Sequence, residues 1–522
     1  MVVTVQKLPK LPGRRERFVN NVLWSWTGVV ASIFTGFWLS PYIIRKLGNE
    51  GYGVWALAFS FLEYYWLLDL GFRSATFKYS AHYRATGEDD KVNEVVNTGV
   101  AYSSMTAALL IFATICLAGY ANRFFQISAA YQTVFTTLIV MVGCAWAVGT
   151  VFSLLSGVVE GYQRFDLTSR VWILTTALRA LGLVIVLVLG YKLKAMAGVA
   201  ITALAVGYAY NYRNLREVFP ALHFSFSRIK LPMFRRMLSY GVHTSVATVA
   251  GQLLNQAGPL LVGHFLPTAF VGYFLLPVRL LSYSVDMVCR VGLVTGSNAA
   301  EMAARKEYDA VYRMGLYVNR YCYALFAPLA LALSLYGTEL LRVWINPEFA
   351  LHGGPIVTVI AAGTTWGIAA QFNSSSILYG LGKHPRYAYS LLIEAILSCA
   401  GIYIAIPRYG ILGAAWVTAV FMVLNRGLVT SWLFARAVEH SFGAYLRGVY
   451  LRPTLAGIPV FLGAWWIKAH WLPGKKWIEV LGGMGLLAAT YYLVAFFVCL
   501  EKEHRSIPWQ WLNARFRPHP AA

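Results

Sequence analysis

The run TSRVWILTTALRALGLVIVLVLG, residues 168–190, holds Arg170 near its start and then a single charge, Arg179, inside an otherwise apolar stretch. At 1.5 Å rise per residue, a helix of this length spans about 34 Å, enough to cross the hydrocarbon core of a bilayer. The run therefore predicts a transmembrane helix with an arginine close to its middle.

Comparable stretches recur along the chain. We place spans at 18–44, 51–72, 97–120, 131–159, 168–190, 195–212, 237–265, 269–298, 314–337, 354–380, 386–406, 411–435, 449–470 and 477–499, about fourteen in all. Composition agrees with repeated burial in lipid. Of 522 residues, 58% are hydrophobic and 13% charged, with a mean hydropathy of +0.56. Soluble domains run near 45–50% apolar and about 25% charged, so an ordinary soluble enzyme is excluded. The N-terminal Lys7, Lys10, Arg14, Arg15 and Arg17 precede an apolar stretch without an A-x-A-like site, which predicts a retained first helix.

Charge sets an orientation. The chain carries 44 Lys plus Arg against 22 Asp plus Glu, a net +22. With the N-terminus in the cytoplasm, inner segments hold 29 basic residues and outer loops 10, which places both termini inside by the positive-inside rule. Basic excess in such a chain reads as anchoring to anionic lipid, and nucleic acid is set aside. The expected segments are a cytoplasmic tail at 1–17, an N-lobe of helices 1–6 at 18–212, a cytoplasmic connection at 213–236, a C-lobe of helices 7–12 at 237–435, a final helix pair at 436–499 and a cytoplasmic tail at 500–522. The two halves echo each other: Gly161-Tyr162-Gln163-Arg164 precedes an apolar pair ending in Ala197-Gly198-Val199-Ala200, and Gly380-Leu381-Gly382-Lys383 precedes one ending in Ile411-Leu412-Gly413-Ala414-Ala415. Repeated halves are how many transporters build a central site open to alternate sides.

Five basic residues fall inside spans: Arg179, Arg279, Arg290, Arg320 and Arg426. An arginine at the bilayer centre costs about 2.5–3.5 kcal/mol on insertion scales, so such a group implies a water-filled cavity or an anionic partner. Arg179, Arg279 and Arg426 lie about 15 Å from the nearest helix end, near the midplane. Arg290 and Arg320 are nearer the ends, where snorkelling or a structural role competes with binding. Arg279, Asp286 and Arg290 share one helix face. Glu63, Asp286 and Glu394 are the intramembrane carboxylates, suited to relaying protons, binding a cation or pairing with arginine. Five arginines outnumber three carboxylates, so a net cationic cavity is expected, selecting phosphate over cationic drugs. Asn20, Asn21, Ser25, Thr27, Ser32 and Thr35 make the first span too polar to face lipid. Tyr64, Tyr65, Trp66 and Tyr321 are candidate sugar contacts, with interfacial belts as their plainer reading.

Other chemistries lack their motifs. There is no GxxxxGK[ST], no HExxH and no CxxC; the six cysteines sit in apolar stretches as small core residues, and no metal or cofactor is expected. Asn373-Ser374-Ser375 matches a glycosylation sequon but falls within a span, and is discounted. Loops are too short for a soluble catalytic domain, against a membrane glycosyltransferase, polymerase or ligase.

The stretch Lys46-Leu47-Gly48-Asn49-Glu50-Gly51-Tyr52-Gly53-Val54-Trp55, continuing to Leu68-Asp69-Leu70-Gly71-Phe72, resembles the O-antigen and exopolysaccharide flippases of the multidrug/oligosaccharidyl-lipid/polysaccharide superfamily. Glu394-Ala395-Ile396-Leu397 and Tyr409-Gly410-Ile411-Leu412-Gly413-Ala414-Ala415 are similar to that family as well. The resemblance implies an all-α membrane protein with two six-helix lobes around a central cavity and two extra helices. It implies transport of an undecaprenyl-pyrophosphate-linked oligosaccharide to the outer leaflet of a bacterial inner membrane, with membrane lipids and polysaccharide synthesis machinery as partners. A lipid II flippase or a multidrug exporter of the same superfamily is the alternative. The binding arginines rest on the burial argument, not on a family motif.

Overall fold

The computed structural model describes residues 14–506, with the side chains of 14–32, 243, 244, 284 and 286–294 outside that description. Among the described residues the protein is helical, without strands. The helices are α1 (Arg14–Leu62), α2 (Phe72–Ala85), α3 (Asp89–Phe124), α4 (Gln132–Gly161), α5 (Phe165–Val188), α6 (Leu193–Val218), α7 (Leu231–Phe265), α8 (Ala269–Ala304), α9 (Tyr308–Trp344), α10 (Pro347–Gly363), α11 (Phe372–Gly380), α12 (His384–Phe421), α13 (Thr430–Ala437), α14 (Phe442–Leu446), α15 (Arg452–His470), α16 (Trp477–Val498) and α17 (Lys502–Arg505). A 3-10 turn covers Glu63–Asp69, and π-helical turns cover Thr364–Ala369, Met422–Val429 and Arg447–Leu451. Eight helical stretches among the described residues are long and apolar enough to cross a bilayer. The chain is a multi-pass membrane protein.

Two of the long helices are broken by glycine. In α1, Gly48 takes φ 78° and ψ 169°; in α12, Gly410 takes φ 59° and ψ −152°. Residues with a Cβ rarely occupy this part of conformational space. Both breaks fall where the sequence places a short connection between spans.

The described residues up to 51 together with 61–245 form one compact unit, and 52–60 together with those from 246 onward form a second. In the first, Phe72 stacks on Tyr102 with ring centroids 3.8 Å apart, over a core containing Val92, Val96, Leu154, Val158, Leu215 and Met237. In the second, the end of α1 packs so closely that a Cβ on Gly53 would lie 1.9 Å from the Thr268 carbonyl oxygen. A Cβ on Gly380 would lie 2.1 Å from the carbonyl oxygen of Gly296, so α11 and α8 meet backbone to backbone. Asn346 starts α10 by accepting a hydrogen bond from the Phe349 amide at 3.0 Å, with Pro347 in the first turn where no N–H is needed.

Candidate functional site

The second unit encloses a cavity of about 370 Å³, within the size range of small-molecule sites. Walls from α7, α8, α11, α12 and two π turns bring Asn255, Ser282, Gln371, Tyr387, Glu394 and Arg426 to one space. The π turns make its back possible. A Cβ on Gly367 would lie 2.5 Å from the Met422 carbonyl oxygen, so only glycine lets Thr364–Ala369 and Met422–Val429 cross. π turns recur at functional sites because the widened turn re-aims side chains. Here the Thr430 hydroxyl donates to the Asn425 carbonyl at 3.1 Å, satisfying a carbonyl of the wide turn.

Glu394 of α12 is the charged centre of the wall. Its side chain is 1% exposed, against 21% for that of Arg426. Arg426 Nε donates to its two carboxylate oxygens at 3.0 and 3.3 Å, and Asn425 Nδ2 donates to Oε2 at 2.8 Å. The pairing is side-on rather than fork to fork. Among the described residues the two Nη groups of Arg426 make no hydrogen bond, so Glu394 orients the guanidinium while its planar fork keeps its donors.

Behind the cavity lies a buried polar network. Asn319 Nδ2 donates to Ser374 Oγ at 2.8 Å and to the Tyr445 hydroxyl at 2.7 Å. Ser374 Oγ and the Tyr445 hydroxyl donate to Gln371 Oε1 at 2.9 and 3.1 Å, and Gln371 Nε2 donates to the Tyr450 hydroxyl at 3.2 Å. The Tyr450 hydroxyl ends on the Trp366 carbonyl at 2.7 Å. Such a network holds a wall rigid because each group left unpaired in low dielectric is costly. Gln371 is its member that also lines the cavity.

The residues expected to form the site are dispersed. Arg426 and Glu394 meet, as one ion pair. Arg279 is exposed on α8, next in sequence to the lining residue Val278. Arg179 is exposed on α5 of the first unit. Arg320 does not line the cavity: it is buried, its Nε donating to the Gly448 carbonyl at 2.6 Å and its Nη1 to Glu501 at 2.7 Å, while Arg452 Nη1 reaches the same Glu501 oxygen at 2.7 Å. Counting only carboxylates inside spans missed Glu501, which arrives from beyond the last long helix. Tyr321 turns to the same C-terminal segment, its hydroxyl 2.5 Å from His504 Nδ1. Tyr65 is buried with its hydroxyl against Thr114 Oγ1, closed to a sugar; Glu63, Tyr64 and Trp66 share its 3-10 turn and are half-buried. Asp286, Arg290, Asn20, Asn21, Ser25, Thr27 and Ser32 lie outside the described side chains.

Three contributors were not singled out from the sequence: Gln371, Asn425 and the discounted Asn373-Ser374-Ser375. A signal existed. Six polar or aromatic residues in a row, Gln371 to Ser376, interrupt an apolar span, and that much polarity needs internal partners.

Residues 18–288 match the family model described as polysaccharide biosynthesis protein. The chain is similar to the uncharacterised membrane protein EpsK of Bacillus subtilis, 20% identical over 94% of this chain and 97% of that protein. It is also similar to a Shigella flexneri protein provisionally named an O-antigen transporter, 18% identical over 80% of this chain and 98% of that one. Among solved structures, the lipid II flippase MurJ in an inward closed conformation superposes with a TM-score of 0.72 at 12% identity, covering 95% of this chain and 99% of its own. An inward-facing multidrug resistance MATE family transporter of the MOP superfamily gives 0.67 at 12% identity, covering 79% and 95%. These two likenesses concern the fold.

Proposed function

The chain belongs to the polysaccharide biosynthesis protein family, and from that membership we propose that it is a flippase rather than an enzyme. Its substrate is a polyprenyl-pyrophosphate-linked oligosaccharide, carried from the inner to the outer leaflet of a bacterial inner membrane for cell-surface polysaccharide assembly. The observation that carries this reading is the cavity of the second unit, where the Arg426 guanidinium, oriented by Glu394 with its Nη donors left open, stands among amide and hydroxyl groups. Pyrophosphate takes Arg426, whose Nη donors suit phosphate oxygens; sugar hydroxyls take the amides; the prenyl chain stays in lipid. Arg179, Arg279 and Arg290 add positive charge along the path. The topology is two six-helix lobes plus a final helix pair, fourteen spans with both termini cytoplasmic.

Transport proceeds by alternating exposure of the site. Glu394 holds Arg426 through Nε and offsets its charge, so a proton or cation arriving at Glu394 strengthens the hold of the free Nη donors on the anion, and its departure weakens that hold. Asp286 and Glu63 are further carboxylates through which such coupling runs.

Depletion of this chain in its host, with polyprenol-linked saccharides extracted and their leaflet position probed, tests the function. Accumulation on the cytoplasmic face supports it, and the attached saccharide identifies the pathway. Unchanged lipid-linked pools with altered drug sensitivity would favour an exporter, accumulation of the peptidoglycan precursor a lipid II flippase, and build-up on the outer face a polymerase or ligase.

A further inference from the structure

The segment joining α6 to α7 is held by two asparagines of α3 over 221–225, ahead of a 3-10 turn at Phe226–Arg228. Asn93 Nδ2 donates to the Ala221 carbonyl at 3.0 Å while its Oδ1 accepts from the His223 amide at 2.8 Å. One helical turn later, Asn97 Nδ2 donates to the His223 carbonyl at 2.9 Å and its Oδ1 accepts from the Ser225 amide at 2.8 Å. Each buried side-chain amide thus pairs with the chain much as a neighbouring strand would. Thr98 continues the row, its Oγ1 accepting from the Lys230 amide at 3.2 Å. Leu222 seats the start of the segment in the core of the first unit.

What this fixed backbone presents is unusual for a loop. Phe226 is 93% exposed, and Phe224, Ile229 and Leu231 are exposed or nearly so. The Phe226 ring stands out from the turn that follows this anchored stretch, at a hydrophobic cost of about 2 kcal/mol unless something covers it. Residues 213–236 hold six basic residues and one acidic, Glu217. Three of the six are occupied: Arg228 Nη1 donates to Asp90 Oδ1 at 2.8 Å, Arg216 Nη1 to the Leu222 carbonyl at 2.7 Å, and Arg236 Nη1 to the Tyr83 hydroxyl at 2.7 Å. Lys230 and Arg235 are exposed and form no ion pair among the described residues.

We propose that this segment is an anchor for anionic phospholipid. Phe226, Ile229 and Leu231 enter the boundary between headgroups and acyl chains, and Lys230 and Arg235 take headgroup phosphates. Alternation of exposed apolar and basic side chains is the composition that binds the bilayer interface. The segment follows directly from a membrane helix, so that surface lies within reach without any encounter step. The anchor does not depend on which substrate the protein carries.

The test places the photoreactive analogue p-benzoylphenylalanine at position 226 of the full chain, in nanodiscs of equal parts phosphatidylcholine and phosphatidylglycerol. Phosphatidylglycerol adducts should exceed phosphatidylcholine adducts by at least about fivefold, the bias that a single basic side chain gives at an anionic surface, with two present here. Lys230→Gln with Arg235→Gln should bring the ratio to near one. Equal labelling of the two lipids in the presence of both basic residues would overturn the anionic assignment. Labelling of neither lipid, or of a protein when the same chain is irradiated in native membranes, would overturn the lipid assignment. A second measurement needs no photoreactive residue: phosphatidylglycerol added to the detergent-solubilised chain should raise Tm more for wild type than for the Lys230→Gln, Arg235→Gln variant, and equal gains would count against the anchor.

Discussion

Glu394 and Arg426 share a hydrogen bond but not an environment, and the two halves of the pair should respond differently to loss of the partner. With Arg426→Met, the carboxylate of Glu394 stays buried with Asn425 as its remaining described donor, an uncompensated charge that should cost about 3 kcal/mol. With Glu394→Gln, the guanidinium can still reach the cavity, and the loss should be about 1 kcal/mol. Thermal unfolding in detergent checks the order, and the double variant should be more stable than Arg426→Met alone. Equal single losses would mean that the cavity is dry and the pair fully desolvated. Of this site, Glu394 and Arg426 were legible in the sequence because charges inside apolar runs are rare. Their partner Asn425 was not, since an amide in a span carries no comparable penalty and does not stand out.

At the scale of the element, glycines divide into those needed for their backbone angles and those needed for space. Gly48→Ala places a methyl where nothing lies within 4 Å, so its cost is conformational alone, about 1–2 kcal/mol. Gly380→Ala drives a methyl against the backbone of α8 and should cost about 3 kcal/mol or abolish assembly, read by Tm or by yield of monodisperse protein. The C-terminal turn is a second test. Hydrogen bonding from Arg320, then the nearby charge of Arg452, holds the Glu501 carboxyl below its ordinary range. A depressed carboxyl contributes stability above its unfolded pKa of about 4.3, lost as pH falls through the lower folded value. Protease should therefore cut the segment around 500–506 in wild type only once the pH falls below the ordinary carboxylate range, and in Glu501→Gln at neutral pH. Cleavage of wild type near neutral pH would show that the ion triad does not hold the turn. The π turns were invisible to sequence reading for a physical reason. Each shifts the helical phase, so a 3.6-residue pattern carried across 364–369 or 422–429 assigns the following residues to the wrong face.

For the whole molecule, hydropathy and basic-residue asymmetry carry a definite expectation: a fluorescent protein fused after residue 522 should fluoresce, and a periplasm-dependent reporter there should stay inactive. The reverse would invert every loop. The helical, membrane-spanning class was legible because length and apolarity of spans follow directly from bilayer thickness. The division into units was less so. The sequence suggests a connection at 213–236 between lobes, whereas that segment is pinned to α3 and the first unit continues to residue 245. Long-range side-chain pairing of this kind leaves no periodic trace. One consequence is mechanical. The chain passes between units at 51–52 and 60–61, both inside α1, and at 245–246, inside α7. None of these crossings is a slack tether. Each lies in helical backbone rather than in a loop, so the chain resists bending at the crossing itself, and in α1 the break at Gly48 is the joint nearest to it.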